Sequence, residues 1–223
     1  RMPAGAPKVR FEVAATEPDA LGGIARHKRI VGHFGDGPAA REMTVNLYLP
    51  PHAKGPVPVL LHLTFFSSTP PDPSAAPAAG AAGRPRPSEA GPVAELLARG
   101  YGYAMVRYTD IQADAAGGPG VQQVALAPGQ AAPAPDEWGT ISAWAWGASR
   151  IMDYFETDSS VDARRVAVIG HSRLGKTVLW IGAQDPRDFF VFLDEPGKRR
   201  RAIRAPRRSF QHVLARHEAE HPA

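Results

Sequence analysis

The chain has 223 residues and 43% hydrophobic content, which suits one globular domain with a sizeable core. It has no cysteine, which removes disulfide frameworks and thiolate metal sites, and it has no apolar run of membrane-spanning length. The net charge of +4 belongs to residues 186–223, which hold nine Lys/Arg and five Asp/Glu; the remaining 17 of each leave residues 1–185 neutral.

In chain order, residues 1–36 predict an irregular start with short strands at "VRFEVA" and "RIVGHF". "EMTVNLYLP" (42–50) alternates apolar and polar residues and stops at a Pro-Pro pair, a half-buried strand. "VPVLLHLTFF" (57–66) is continuously apolar, the pattern of a strand covered on both faces. Residues 67–92 are dominated by Pro, Gly and Ala and predict a mobile loop. A short helix follows at "VAELLARG" (93–100), then a strand at "YGYAMVRY" (101–108) and a second long loop over 110–135. Residues 136–158 predict a long helix with Asp136 and Glu137 at its positive end. Then come a turn at "SSVDARR", a strand at "VAVIG" (166–170) and a helix at "LGKTVLWIGAQD" (174–185). This alternation predicts an α/β fold with a parallel-rich sheet flanked by helices.

Ser172 stands where that last strand meets that last helix, in Gly170-His171-Ser172-Arg173-Leu174-Gly175. A sharp strand–helix turn lifts a serine hydroxyl above a helix N-terminus, where backbone N–H groups stabilise an oxyanion. The second glycine comes one residue later than in the common G-x-S-x-G pattern. An ordinary N-cap serine is the plainer alternative. Adjacent His171 is not taken as its base, because the base must approach the hydroxyl from another loop. Arg173 and Lys176 are cations on the first turn of a helix, where the dipole disfavours them. They mark either an anionic ligand or plain surface charge. Trp138, Trp144 and Trp146 on the long helix are read as core rather than as a sugar platform, and Asp110 as a turn aspartate. No P-loop, dinucleotide fingerprint or zinc-binding helix motif is present, and no cofactor or metal is expected.

"VDARRVAVIGHSRLGKTVLWIGAQDPR", preceded by "DEWGTISAWAWGASRIMDYFETD" and by "PVAELLARGYGYAMVRYTDI", resembles the carbohydrate esterase family 15 glucuronoyl esterases, especially bacterial ones. The resemblance is strong over residues 92–187 and weaker over 38–66. It implies an α/β-hydrolase fold and cleavage of the ester between a 4-O-methyl-glucuronate side chain of xylan and a lignin alcohol. By position it implies Ser172 as nucleophile, Arg173 as oxyanion support and Lys176 as a ligand of sugar hydroxyls. With "DPR" kept in register, Glu195 in "DEPG" falls on the acid; a charged turn residue is the alternative reading. It further implies a secreted or periplasmic enzyme, although no signal peptide is visible. A monomer without nucleic-acid or membrane partners is expected.

After Arg187 the text departs from the family, and "KRRRAIRAPRR" (198–208) replaces a glycine-rich stretch. That basic run has no interleaved aromatic residues to stack on bases, so a solvated end is expected rather than a nucleic-acid surface. His212, His217 and His221 match nothing and are not assigned. The expected organisation is a partial hydrolase domain over 1–187, incomplete at its C-terminal end, and a divergent basic tail over 188–223. The tail reads as out of frame, or as a genuine short form. The chain is therefore expected to be impaired for want of the family's histidine. An inactive fragment and an acetyl esterase acting on xylan are the alternatives.

Overall fold

The computed structural model describes residues 6–65, 93–115, 117–127, 129–134, 137–185, 187, 189–194 and 201–205, the last two stretches by their backbone. The described strands form one sheet in the order β1-β2-β3-β5-β4-β6-β7-β8. Strands β1 (Val9–Ala20), β2 (Ala25–Phe34) and β3 (Arg41–Leu49) run antiparallel. Strands β4 (Val57–Thr64), β5 (Gly102–Arg107), β6 (Val161–His171) and β7 (Phe189–Asp194) are mutually parallel. Strand β8 (Arg201–Ala205) returns antiparallel on β7. Strand β5 is buried on both faces, whereas β4, expected to be covered on both, buries one face and covers the other only in part, where Pro58, Leu60 and His62 lie.

Alternation along the strands separates two apolar layers. Leu47, Leu61, Leu63, Ala104, Val106, Val166 and Val168 join the main core beneath helices α4 (Thr140–Thr157) and α5 (Arg173–Gln184). Tyr48, Tyr103 and Met105 face the other way and pack with Val93 and Leu97 of helix α1 (Val93–Ala98). Trp138, Trp144 and Trp146 are buried in the main layer. Trp146 meets Phe34 edge-on at 5.4 Å, and Trp144 meets Tyr108 at 5.0 Å. These rings serve the core, as the sequence predicts.

The long helix starts at Thr140 rather than 136, and Glu137 instead accepts the Ala134 N–H at 2.7 Å before the first turn. The stretch 110–135 holds two short helices, α2 (Tyr108–Ile111, entering it from β5) and α3 (Val121–Val124), and an isolated bridge between Gln112 and Gly120. The 67–92 loop falls outside the described residues. In the basic tail, residues 201–205 take up a strand instead of the irregular end that their composition suggests.

One polar cluster locks the antiparallel half to the helical half. Lys28 of β2 donates to both Asp158 carboxylate oxygens at 2.8 Å and to Ser160 Oγ at 3.0 Å. The Tyr154 hydroxyl donates to the same carboxylate at 2.8 Å. Burial opposes the Asp158 charge, but the hydrogen bonds from Lys28, Ser160 and Tyr154 prevail and hold its pKa down at about 2.

Candidate active site

Strand β6 ends at His171, Ser172 turns the chain, and α5 begins at Arg173. The turn is sharp: Ser172 has φ 55° and ψ −121°, a conformation L-residues adopt only when their surroundings impose it. Gly170 shows what the surroundings demand. A Cβ at Gly170 would lie 2.3 Å from the Leu174 carbonyl oxygen and 2.5 Å from its carbon. The first turn of α5 folds back onto the strand end, and only a glycine leaves it room. The Ser172 side chain is exposed and makes no capping bond to α5, so the plain N-cap role is not the one it plays. Its carbonyl instead accepts the Lys176 N–H at 3.3 Å, the first bond of the helix.

Arg173 is half exposed beside Ser172. Its guanidinium pairs with the Asp114 carboxylate and stands over the Phe65 ring, 5.3 Å from the ring centre. Phe65 follows β4, Asp114 lies in the loop after β5, and Arg173 follows β6. The carboxyl ends of three neighbouring strands thus converge, the place where open α/β sheets put their sites. Lys176 is exposed one turn along α5, whose first turn has no acidic residue. Arg173, paired with Asp114, and the N-terminus of α5 stand next to the exposed hydroxyl, and Lys176 follows one turn along the helix.

Glu195 and the histidines at 212, 217 and 221 lie outside the described residues. In the described sheet β7 pairs with β6 so that Asp194 stands opposite His171. Of the described histidines, His62 sits lower on β4, opposite Ile169, with Nδ1 2.6 Å from the Tyr103 hydroxyl. His27 and His33 lie on β2, and His52 is in the turn before β4. Among the described residues no group of three or more His, Cys, Asp and Glu is arranged to hold a metal ion.

Two polar features are invisible to motif reading. Asp114 is one; its signal is its place just after a strand end, four residues past Asp110. Asp110 itself is structural: burial pushes its carboxyl up, against a Thr44 backbone hydrogen bond and nearby Arg107. The other is a clamp behind the elbow helix. Arg187 Nε donates to Asp185 at 2.8 Å, Nη1 to Asp153 at 2.9 Å and Nη2 to the Ser149 carbonyl at 2.8 Å, while Ser149 donates to Asp185. Burial opposes the Asp185 charge, yet Arg187 and Ser149 hold its carboxyl below the usual range. The clamp ties the end of α5 to α4 just before β7 starts. Its "DPR" text gave only a register mark.

Residues 133–204 match the family model "Glucuronyl esterase, fungi", a match that continues past Arg187. "Carbohydrate esterase MZ0003", from an unknown prokaryotic organism, is 37% identical over 212 residues, covering 84% of this chain and 48% of that protein. The solved "Glucuronoyl Esterase from Solibacter usitatus" is 46% identical with a TM-score of 0.71, over 83% of this chain and 51% of that one. "4-O-methyl-glucuronoyl methylesterase 1" of Phanerochaete chrysosporium is 44% identical over 59 residues, 26% of this chain and 12% of that protein. This chain spans about half the length of the first two. Along that span, by sequence and by an α/β-hydrolase fold, it belongs to the carbohydrate esterase family 15 glucuronoyl esterases.

Proposed function

We propose that this chain carries the nucleophile half of a serine ester hydrolase acting on glucuronate esters, such as those joining 4-O-methyl-glucuronate side chains of xylan to lignin alcohols. The observation that carries the reading is Ser172. It is exposed, held at positive φ and free of any capping bond, with Arg173 next to it in the chain and Lys176 one turn along α5. Ser172 Oγ attacks the ester carbonyl and passes its proton to a base. The Arg173 backbone N–H and guanidinium support the oxyanion, and the alcohol leaves. Water then hydrolyses the acyl-enzyme to the free uronic acid. Lys176 holds sugar hydroxyls, and Glu195 orients the base and stabilises its cation. The resemblance and the similarity to named glucuronoyl esterases support these roles. A polymeric substrate that cannot enter a cell suits an enzyme exported beyond the cytoplasmic membrane. Among the described residues no helix is long and apolar enough to cross a membrane.

One observation favours a second reading, an elbow without a working triad. None of the histidines of β2, β4 or the 51–56 turn stands at the strand ends that surround Ser172. An acetyl esterase is a third reading, and Arg173 with Lys176 argues for a more polar acyl group than acetate. The full chain is assayed on benzyl glucuronate and on an acetylated xyloside. The proposal expects the uronate ester to be hydrolysed preferentially. Preference for the acetate would overturn the substrate assignment.

A further inference from the structure

Asp114 sits in a loop built to present it. Gln112 is fully buried; its Nε2 donates to the Gly118 carbonyl at 3.0 Å and its Oε1 accepts the Gln122 N–H at 3.0 Å. The Gln112 carbonyl accepts Trp144 Nε1 at 2.8 Å, and the Ala113 N–H reaches the Pro119 carbonyl at 2.8 Å. Gly120 closes the loop at φ 152°, where a Cβ would lie 2.5 Å from Gln112 Cα. Two residues past the buried Gln112, the Asp114 carboxylate meets the Arg173 guanidinium.

We propose that Asp114 is a positioning residue that neutralises Arg173 and thereby keeps the elbow from retaining the uronate carboxylate. The inference rests on the ester-hydrolase reading for its choice of ligand. An ester is uncharged at its acyl group, whereas the acid it yields is an anion at neutral pH. Arg173, Lys176 and the N-terminus of α5 together attract anions, and no acidic residue of α5's first turn offsets them. Without Asp114 the site would favour its product over its substrate. With Asp114 in place, Arg173 is charge-compensated at rest and held over Phe65, ready to turn to an oxyanion.

The test is binding, which needs no turnover. Sodium glucuronate is titrated into the full chain, its Asp114→Asn and Asp114→Ser variants and the Asp114→Asn/Arg173→Gln double variant, with thermal melts confirming folding. Removal of the Asp114 charge is expected to tighten glucuronate binding on the order of three- to tenfold at low salt, an advantage that fades as salt rises. The uncharged methyl ester of glucuronate, titrated into the same forms carrying Ser172→Ala so that it is not hydrolysed, should bind all of them alike, which a general loss of loop structure would not produce. The gain should vanish in the double variant. The inference is overturned by unchanged or weaker binding in the Asp114 variants, by a gain that survives loss of Arg173, or by no measurable glucuronate binding in any form. A catalytically silent chain would bear on the hydrolase reading and leave this result intact.

Discussion

Gly170→Ala is the sharpest perturbation the elbow offers. The new Cβ would stand 2.3 Å from the Leu174 carbonyl oxygen, 2.5 Å from its carbon and 2.9 Å from Leu174 Cβ. Ordinary carbon–oxygen contact lies near ~3.3 Å, so the first turn of α5 must retreat by about 1 Å. The obstructing atoms are backbone, and Leu174 is fully buried, so rotamer changes cannot absorb the shift. Overpacking of this kind costs about 1–3 kcal/mol, and forced movement of backbone takes it toward 4 kcal/mol. Retreat of α5 also relaxes the turn that holds Ser172 at φ 55°. Urea unfolding should show the loss of stability, and labelling by a fluorophosphonate should show loss of Ser172 reactivity in the protein that remains folded. Gly55→Ala is the control, because a Cβ there would meet nothing within 4 Å. A Gly170→Ala protein within 1 kcal/mol of the parent, on the ~0.5 kcal/mol scale of neutral surface changes, with unchanged labelling, would refute the crowded-elbow argument.

Further outcomes follow from the same geometry. Ser172→Gly should raise stability by about 1 kcal/mol, the relieved strain less the entropy of a new glycine; a destabilised variant by urea unfolding would contradict strain at the elbow. Asp158 has a folded pKa of about 2 against 3.8 when unperturbed, so its stabilising charge is fully present above pH ~4 and is lost as pH falls toward 2. That loss amounts to roughly 2 kcal/mol and is read from acid-dependent unfolding. Lys28→Met should cost about 3 kcal/mol and move the acid limb to higher pH, because the buried carboxylate loses its counter-ion; an unmoved acid limb would contradict the assignment. Asp185→Asn should cost about 3 kcal/mol by leaving Arg187 undercompensated beside α4, measured by thermal melting alongside an Arg187→Met variant that loses a similar amount.

The parallel core was legible because its strands are strongly apolar, β5 being buried on both faces and β4 and β6 on one. The runs 57–64, 102–107 and 166–170 are apolar enough to declare themselves, and the strand–serine–helix junction carries its own text. The length of β1 was not legible: most of its residues face solvent, so no apolar alternation marks it beyond Val13. The start of α4 was misread because Asp136 and Glu137 resemble a helix's first turn, yet Glu137 spends its carboxylate on the Ala134 N–H outside the helix. Within 110–135 the sequence shows only loop composition, and the order there comes from one buried glutamine bonding across the loop, a tertiary effect. The division expected between residues 187 and 188 falls between α5 and β7, inside one sheet. Ser172, Arg173 and Lys176 stand close together in the sequence, where the strand–serine–helix junction draws attention to them. Asp114 could not, since its link to Arg173 spans 59 positions.

The measurement closest to the central claim is release of benzyl alcohol from benzyl glucuronate by the purified 223-residue chain and by its Ser172→Ala variant, each shown to be folded. The expected result is slow release, only slightly above the uncatalysed rate as suits an impaired chain, that Ser172→Ala abolishes. Equal rates for the two folded proteins would contradict it, leaving the elbow as a strained turn that performs no nucleophilic chemistry in this chain.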